Sequence, residues 1–295
     1  MNLDVLKIFC DLVDTGSFSQ AAQINYLSQS AVSQQLAKLE QTLQTQLLNR
    51  GRGLVSPTDA GRMLYDGSKG LLRRWESLQG EVQSVTDAVR GVLRIGTIYS
   101  VGLYQIDPYL RRFLQDHPEV NVRLEFKRAN RIYAEVATGE MDLGVVAYPE
   151  PQRGIEIIPF ATDQLVAVMH PQHPLAGQQS IAPSALEGQP FVAFSPEIPT
   201  RRNIDKLLRT HRISVSIRME FDNIETIKRA IEINSGVSIL PLQTIQKEVR
   251  HGDLAFARFD HGAQWVRPLG IVRRCKAPSP AEGMFLNLLT AMPSN

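Results

Sequence analysis

The segment from Phe18 to Leu43 constrains this chain most, because its pattern leaves room for two short helices separated by one tight turn. The small pair Ala21 and Ala22 lets one helix approach the next closely. Val32, Leu36, Leu39 and Leu43 recur at helical spacing and supply the buried side of the second helix. Ser28 stands where an N-cap is wanted, so that helix is expected to begin near Gln29. Upstream, Leu3, Leu6, Cys10 and Val13 form an apolar stripe on a helix that stops at Gly16, which completes a three-helix core. Downstream, Leu47 to Ser56 is short, rich in Gly and Arg and flanked by apolar residues, as expected of a small hairpin wing.

The polar side of the second helix is a candidate DNA-reading face. Gln29, Ser30, Ser33 and Gln34 project from its first turns, the part that enters a major groove. A Gln amide can pair bidentately with adenine N6 and N7, and Ser hydroxyls reach base edges or phosphate oxygens. Lys38, one turn on, suits backbone phosphate, and Arg50 and Arg52 in the wing suit the backbone or a minor groove. The competing readings are an ordinary solvated helix and a loop with two surface arginines. Bulk charge argues weakly against DNA: the formal net charge is +2, and residues 1–60 carry four Lys or Arg against five Asp or Glu. Asp4, Asp11 and Asp14 lie on the first helix, however, whereas Lys38, Arg50 and Arg52 lie on the proposed contact elements, and the local field matters more than the sum.

From Thr58 to Val89 the chain reads as one long helix whose apolar positions follow a seven-residue repeat. Leu64, Leu71, Leu78 and Val85 share one seam position, and Ser68, Trp75, Val82 and Val89 the other. A stripe recurring every ~3.5 residues tells two helices to pair, so Leu64, Leu71, Trp75, Leu78, Val82 and Val85 are the expected dimerisation contacts. The alternative is an amphipathic helix packed on its own domain; Gly67, Gly70 and Gly80 weaken it in isolation and favour a partner-supported helix.

Beyond Gly91, strands and helices alternate. Val92–Ile98, Val120–Phe126 and Asp142–Ala147 read as strands, separated by helices over Ile106–His117 and Arg131–Thr138. A second, similar series runs through Gln164–Met169, Phe191–Phe194, a helix near Thr200–Thr210, Ser214–Phe221, a helix over Ile224–Asn234 and Gly236–Pro241. Pro268–Val272 and a helix over Ala281–Ala291 return to complete the first half, giving two α/β lobes joined by crossing segments. Ligands of open parallel sheets bind beyond the carboxyl ends of strands, at helix N-termini. That rule selects Tyr99, Ser100, Asn130, Ser195, Thr200, Arg202 and Asn223. Free helix amides, hydroxyls and a nearby Arg favour an anion, although Thr200 and Asn223 could serve only as helix caps.

Cys10 and Cys275 sit far apart in apolar-patterned segments, which suggests no disulfide framework and fits a reducing cytoplasm. An amphipathic N-terminus without an apolar h-region, and the lack of a run of ~18 apolar residues, disfavour secretion and membrane spanning. Catalysis has little support: no Ser, His and acid arrangement, Gly-rich phosphate loop or clustered metal ligands stand out, and His170 and His173 read as a Pro-punctuated solvated loop.

Phe18-Ser19-Gln20-Ala21-Ala22, Gln29-Ser30-Ala31-Val32-Ser33, Leu39-Glu40, Leu47-Leu48-Asn49-Arg50 and Thr58-Asp59-Ala60-Gly61 together resemble the LysR-type transcriptional regulator family. Ser30, Gln44 and Leu48 stand where that family usually has Pro, Gly and Phe. The resemblance implies an α+β multidomain chain: a winged helix-turn-helix over 1–58, a linker and dimerisation helix over 59–90, and a two-lobed α/β periplasmic-binding-protein-like effector domain over 91–295. Its first lobe would span 91–161 and 267–295, and its second 162–266. The implied partners are double-stranded DNA, a small-molecule effector and a homodimer or homotetramer; RNA polymerase is a further partner such a regulator can meet. No metal, cofactor or membrane is expected. A binding or enzymatic α/β domain, with an N-terminal module used only for protein association, is the competing function.

Overall fold

The computed structural model describes residues 2–49, 55–83, 91–260 and 265–291. By internal contacts it divides into two units, Met1–Val92 and Leu93–Asn295.

In the first unit, α1 (Leu3–Thr15) is capped by Asn2 and stopped by Gly16 in the left-handed region, with φ 62°. Ser17 caps α2 (Phe18–Ile24), and Ser28 caps α3 (Gln29–Leu43) by accepting from Ala31 N at 3.2 Å. Phe9, Leu12, Ala21, Val32, Leu36 and Leu39 close the core between these helices. The C-cap of α3 is Gln44, whose φ of 53° is one that glycine adopts freely and a side chain resists. β1 (Leu48–Asn49) pairs antiparallel with β2 (Ser56–Pro57), forming the base of the wing, and Glu40 holds it to α3 by accepting from Leu47 N at 2.8 Å. Arg50 and Arg52 lie outside the described residues.

The long α4 (Asp59–Gln83) starts inside this same core. Leu64 and Tyr65 pack against it, and Asp14 of α1 accepts from Tyr65 and, at 2.6 Å, from Lys69. Gly61 is required here, because a Cβ would fall 2.0 Å from the Leu47 carbonyl oxygen. Leu64, expected on the seam, is thus partly buried and packs against the domain core. Leu71, Trp75, Leu78 and Val82 are exposed, whereas Ser68 is buried. Val85 and Val89 lie outside the described residues.

The second unit begins with β3 (Gly91–Thr97), α5 (Tyr99–Tyr104), α6 (Asp107–Asp116), β4 (Val120–Phe126), α7 (Ala129–Thr138) and β5 (Leu143–Ala147). It continues through β6 (Ile155–Met169), β7 (Ser180–Ile181), β8 (Pro190–Phe194), α8 (Pro199–Thr210), β9 (Ser216–Phe221), α9 (Ile224–Glu232) and β10 (Ser238–Pro241). It ends with α10 (Gln246–His251), β11 (Ala255–Phe259), β12 (Val266–Arg274) and α11 (Pro280–Ala291). One sheet has the order β4-β3-β5-β12-β6-β11-β7, with β10 also paired to β6. The strands β3 and β5 are parallel, as are β8 and β9. The pairings of β6 with β10, β11 and β12 are antiparallel, so the expectation of open parallel sheets holds for only part of each lobe.

The two lobes share β6. Its residues Ile155 to Gln164 pair with β12, and Leu165 to Met169 pair with β10 and β11, where they enter the second lobe's core with Val192, Ile227 and Ile239. A returning C-terminal segment does close the first lobe: β12 pairs with β5, and Phe285 of α11 meets Phe113 of α6 edge-on at 5.1 Å. The short α5 escapes periodicity because six residues give too little pattern and Gly102 interrupts them. That glycine permits a close approach, since a Cβ would come within 2.5 Å of Phe126 and Thr97.

Candidate functional site

Two places in the structure collect the residues singled out from sequence. In the N-terminal unit, Gln29, Ser30, Ser33, Gln34 and Lys38 are all exposed on α3, while Val32, Leu36 and Leu39 on its other side are buried. One helix thus separates a core-forming face from a face of amides, hydroxyls and one cation. Ser19 of α2 donates to Gln29 Oε1 at 3.3 Å, and the Ser28 and Ser30 hydroxyls lie 2.9 Å apart. Tyr26, in the turn before α3, is 96% exposed and has a φ of 54°. Sequence patterning passed over it because turn residues carry no periodic signal.

In the second unit, a cavity of about 570 Å3 opens between the lobes. Tyr99, Ser100, Asn130, Thr200, Arg202 and Asn223 line it, although they come from four separate stretches of chain. Ser195 is not among the lining residues; its backbone N–H instead donates to Phe221 O at 2.8 Å, extending the pairing of β8 and β9. The helices α5, α7 and α8 all begin at the cavity wall, and none has a side-chain hydrogen bond at its N-cap. The leading amides of α5 and α8 therefore carry partial positive charge without a capping side chain, whereas in α7 Asn130 Oδ1 accepts from Arg131 N at 2.9 Å. Asn223 is different, because its Oδ1 accepts from Glu225 N at 2.8 Å and caps α9.

The arginines divide into three kinds. Arg202 stands at the mouth, 59% exposed and 3.9 Å from Glu150. Arg128 precedes α7 and reaches across the cleft to donate to Glu197 at 3.1 Å and Asp222 at 2.8 Å. Arg267 is 1% exposed, and it donates to Asp163 Oδ2 through Nε and Nη2 and to Ser100 Oγ through Nη1 at 3.0 Å. Arg128 and Arg267 were missed from sequence. The readable trace of Arg267 is an ionic residue inside the otherwise apolar run Trp265-Val266-Arg267-Pro268-Leu269.

Aromatic residues complete the wall. Tyr99 stacks on Phe126 with ring centroids 5.2 Å apart. Tyr148 follows β5 with a φ of 49°, and burial pushes its phenol up to about 12, so it stays neutral and donates to Val266 O at 3.3 Å. Farther from the cavity, Tyr104 donates to Glu225 at 2.7 Å and accepts from the buried Lys228 at 2.6 Å, tying α5 to α9. His170 and His173 are held in their loop, where each Nδ1 accepts a backbone N–H. Among the described residues, no helix is long and apolar enough to cross a membrane.

Comparison with known proteins identifies the two parts of the chain. Residues 3–62 match the family model for bacterial regulatory helix-turn-helix proteins of the lysR family, and residues 86–293 match the LysR substrate binding domain. A protein of Cyanophora paradoxa named "Probable RuBisCO transcriptional regulator" is 30% identical over 266 residues, which cover 88% of this chain and 82% of that protein. The structure is similar in fold to full-length CbnR complexed with its target DNA, with a TM-score of 0.79 at 20% identity over 99% of each chain. It is also similar to the CcmR regulatory domain of Synechocystis PCC6803 in complex with 2-PG, with a TM-score of 0.63 at 27% identity over 69% of this chain and 98% of that one. The chain therefore belongs to the LysR family and is a DNA-binding transcriptional regulator with an effector-binding domain.

Proposed function

We propose that a small anionic effector, bound between the two lobes, controls how this regulator engages its operator. The observation that carries this reading is the convergence of three helix N-termini, whose N-cap residues make no side-chain cap hydrogen bond, together with Ser100, Thr200 and Arg267, on one cavity of about 570 Å3; in α7, Asn130 accepts from one leading amide. Such amides and hydroxyls favour negative charge, and the volume suits a small metabolite. The CcmR regulatory domain, bound to 2-PG, supports the use of this type of domain for a small ligand.

At the DNA, Gln29, Ser30, Ser33 and Gln34 read base edges while Lys38 contacts phosphate. Arg50 and Arg52 belong to the same reading as wing contacts. Two copies pair through Leu71, Trp75, Leu78 and Val82, whose exposure along one helix leaves an apolar stripe to cover. The protein works in the cytoplasm, where RNA polymerase is the partner expected at a promoter.

Calorimetry of the full chain against small carboxylates, phosphates and sulfur oxyanions, with neutral analogues beside them, tests the effector. Anions should bind and the neutral analogues should not; binding of a neutral analogue alone overturns the reading. Footprinting with and without a binding anion should show a shortened or shifted protected region. An unchanged footprint removes the proposed control of operator geometry.

A further inference from the structure

Resting on the reading of the cavity as the effector site, we propose that Arg267 and Asp163 are positioning residues that turn the Ser100 hydroxyl into a donor. Ser100 then selects an effector that presents an acceptor oxygen to it.

The geometry starts from two strands. Asp163 of β6 and Arg267 of β12 are direct cross-strand partners, 2% and 1% exposed. Arg267 spends Nε and Nη2 on Asp163 Oδ2, and the other carboxylate oxygen accepts from Gln105 Nε2. The remaining Nη1 donates to Ser100 Oγ at 3.0 Å. Ser100 opens α5 and Gln105 follows its last residue, so this single ion pair holds both ends of α5 to the crossing strands.

The chemical consequence follows from the guanidinium, which has five N–H donors and no acceptor. Ser100 must meet Arg267 with a lone pair. Its own proton has no paired acceptor among the described residues, and Ser100 lines the cavity. The hydroxyl therefore offers its proton to the cavity, turned away from Arg267 by a bond that cannot reverse. A carboxylate, phosphoryl or carbonyl oxygen satisfies it; an ammonium or amidinium group leaves that proton without an acceptor and meets only the second lone pair of an oxygen already engaged by Arg267. The Asp163 charge balances Arg267, so discrimination at this point comes from hydroxyl orientation as well as from net charge.

The test uses the full chain and two planar probes of nearly equal shape, benzoate and benzamidine, with acetate and acetamidine as smaller counterparts. Binding is read by calorimetry as the ratio of affinities within each pair. The wild type should favour the carboxylates, and Ser100→Ala should lower that ratio about tenfold, the loss expected for one hydrogen bond to a charged group. The decisive background replaces the ion pair with apolar residues, Asp163→Leu with Arg267→Met, because exchanging both partners avoids stranding one buried charge. In that background Ser100→Ala should change the ratio by less than about threefold, since the hydroxyl has lost its orientation. A role confined to stability would lower both affinities together and leave the ratio unmoved.

Arg267→Lys is the second variant. It keeps the charge beside Asp163 but removes the fork that reaches Ser100, and it should reproduce the weakened effect of Ser100→Ala. An equal tenfold effect of Ser100→Ala in all backgrounds overturns the positioning role. Amidines binding as well as carboxylates in the wild type overturn the donor assignment but leave the cavity as the ligand site. If no carboxylate or amidine binds, this inference falls, and the phosphates and sulfur oxyanions of the wider calorimetry decide the effector reading separately.

Discussion

Gly61→Ala turns the packing of the winged domain into a sign test. An alanine is ordinarily a better helix former than glycine by about 1 kcal/mol. At position 61 the new Cβ would stand 2.0 Å from Leu47 O, 3.0 Å from Leu47 C and 3.2 Å from Pro57 Cβ. The first contact is more than an ångström short of van der Waals separation, and the atom it strikes is backbone. Leu47 O cannot retreat freely, because it accepts from Thr58 N at 2.9 Å. Overpacking costs about 1–3 kcal/mol and the disturbed hydrogen bond about 1 kcal/mol more, so the net is a loss of about 1–3 kcal/mol. Gly67, six residues along the same helix, has nothing within 4 Å of a built Cβ, and there alanine should stabilise by up to about 1 kcal/mol. Thermal unfolding of the two variants, followed by far-ultraviolet circular dichroism, measures both. For a domain of this size each 1 kcal/mol moves Tm by about 4–8 °C, so Gly61→Ala should melt about 5–20 °C lower and Gly67→Ala a few degrees higher. If Gly61→Ala melts at or above the wild type, the packing of α4 against the wing strand is not as described.

Other outcomes follow from the same structure. Gln44→Gly should raise stability by about 1 kcal/mol, because the left-handed C-cap penalises a side chain; a lower denaturant midpoint would contradict that geometry. Ser33→Ala and Gln34→Ala should leave the melting curve nearly unchanged while each weakens operator binding by about 1–3 kcal/mol, and a mobility-shift titration showing unchanged affinity would remove these residues from base reading. Burial pushes the Cys10 thiol up to about 11, so in the native protein Cys275 should react with a thiol reagent at neutral pH and Cys10 should not; equal rates would refute the packing around Cys10. Burial of Glu248 works toward protonation, but the hydrogen bond from Lys228, a backbone hydrogen bond and the charges of Lys228 and Arg229 together outweigh it and hold the carboxyl below its usual value. Its contribution is present above the ordinary carboxylate range and disappears as pH falls through the lowered value, so the stability gap between wild type and Glu248→Gln should narrow on acidification. A gap independent of pH would exclude the pairing.

The sequence alone determined what depends on near neighbours. Ser28 caps α3 and Gly16 stops α1 because each acts on amides or carbonyls within a few residues. The spacing of Val32, Leu36 and Leu39 places one side of α3 inward and leaves Gln29, Ser33 and Gln34 outside. The alternation of strands and helices likewise announced two α/β lobes, and the ends of those helices pointed to Ser100, Thr200 and Asn223. Tertiary structure decided whatever depends on pairing across long separations. Leu64 has the heptad spacing of Leu71, but only the assembled N-terminal core covers part of it. Ser195 follows a strand as the other candidates do, yet pairing of β8 with β9 leaves it off the cavity wall. Arg267 reaches Asp163 from 104 residues away through the register of β12 on β6, and no local pattern encodes that register. Periodicity and capping are properties of a short stretch of chain, whereas strand register and the partner of a buried charge exist only after distant segments have met.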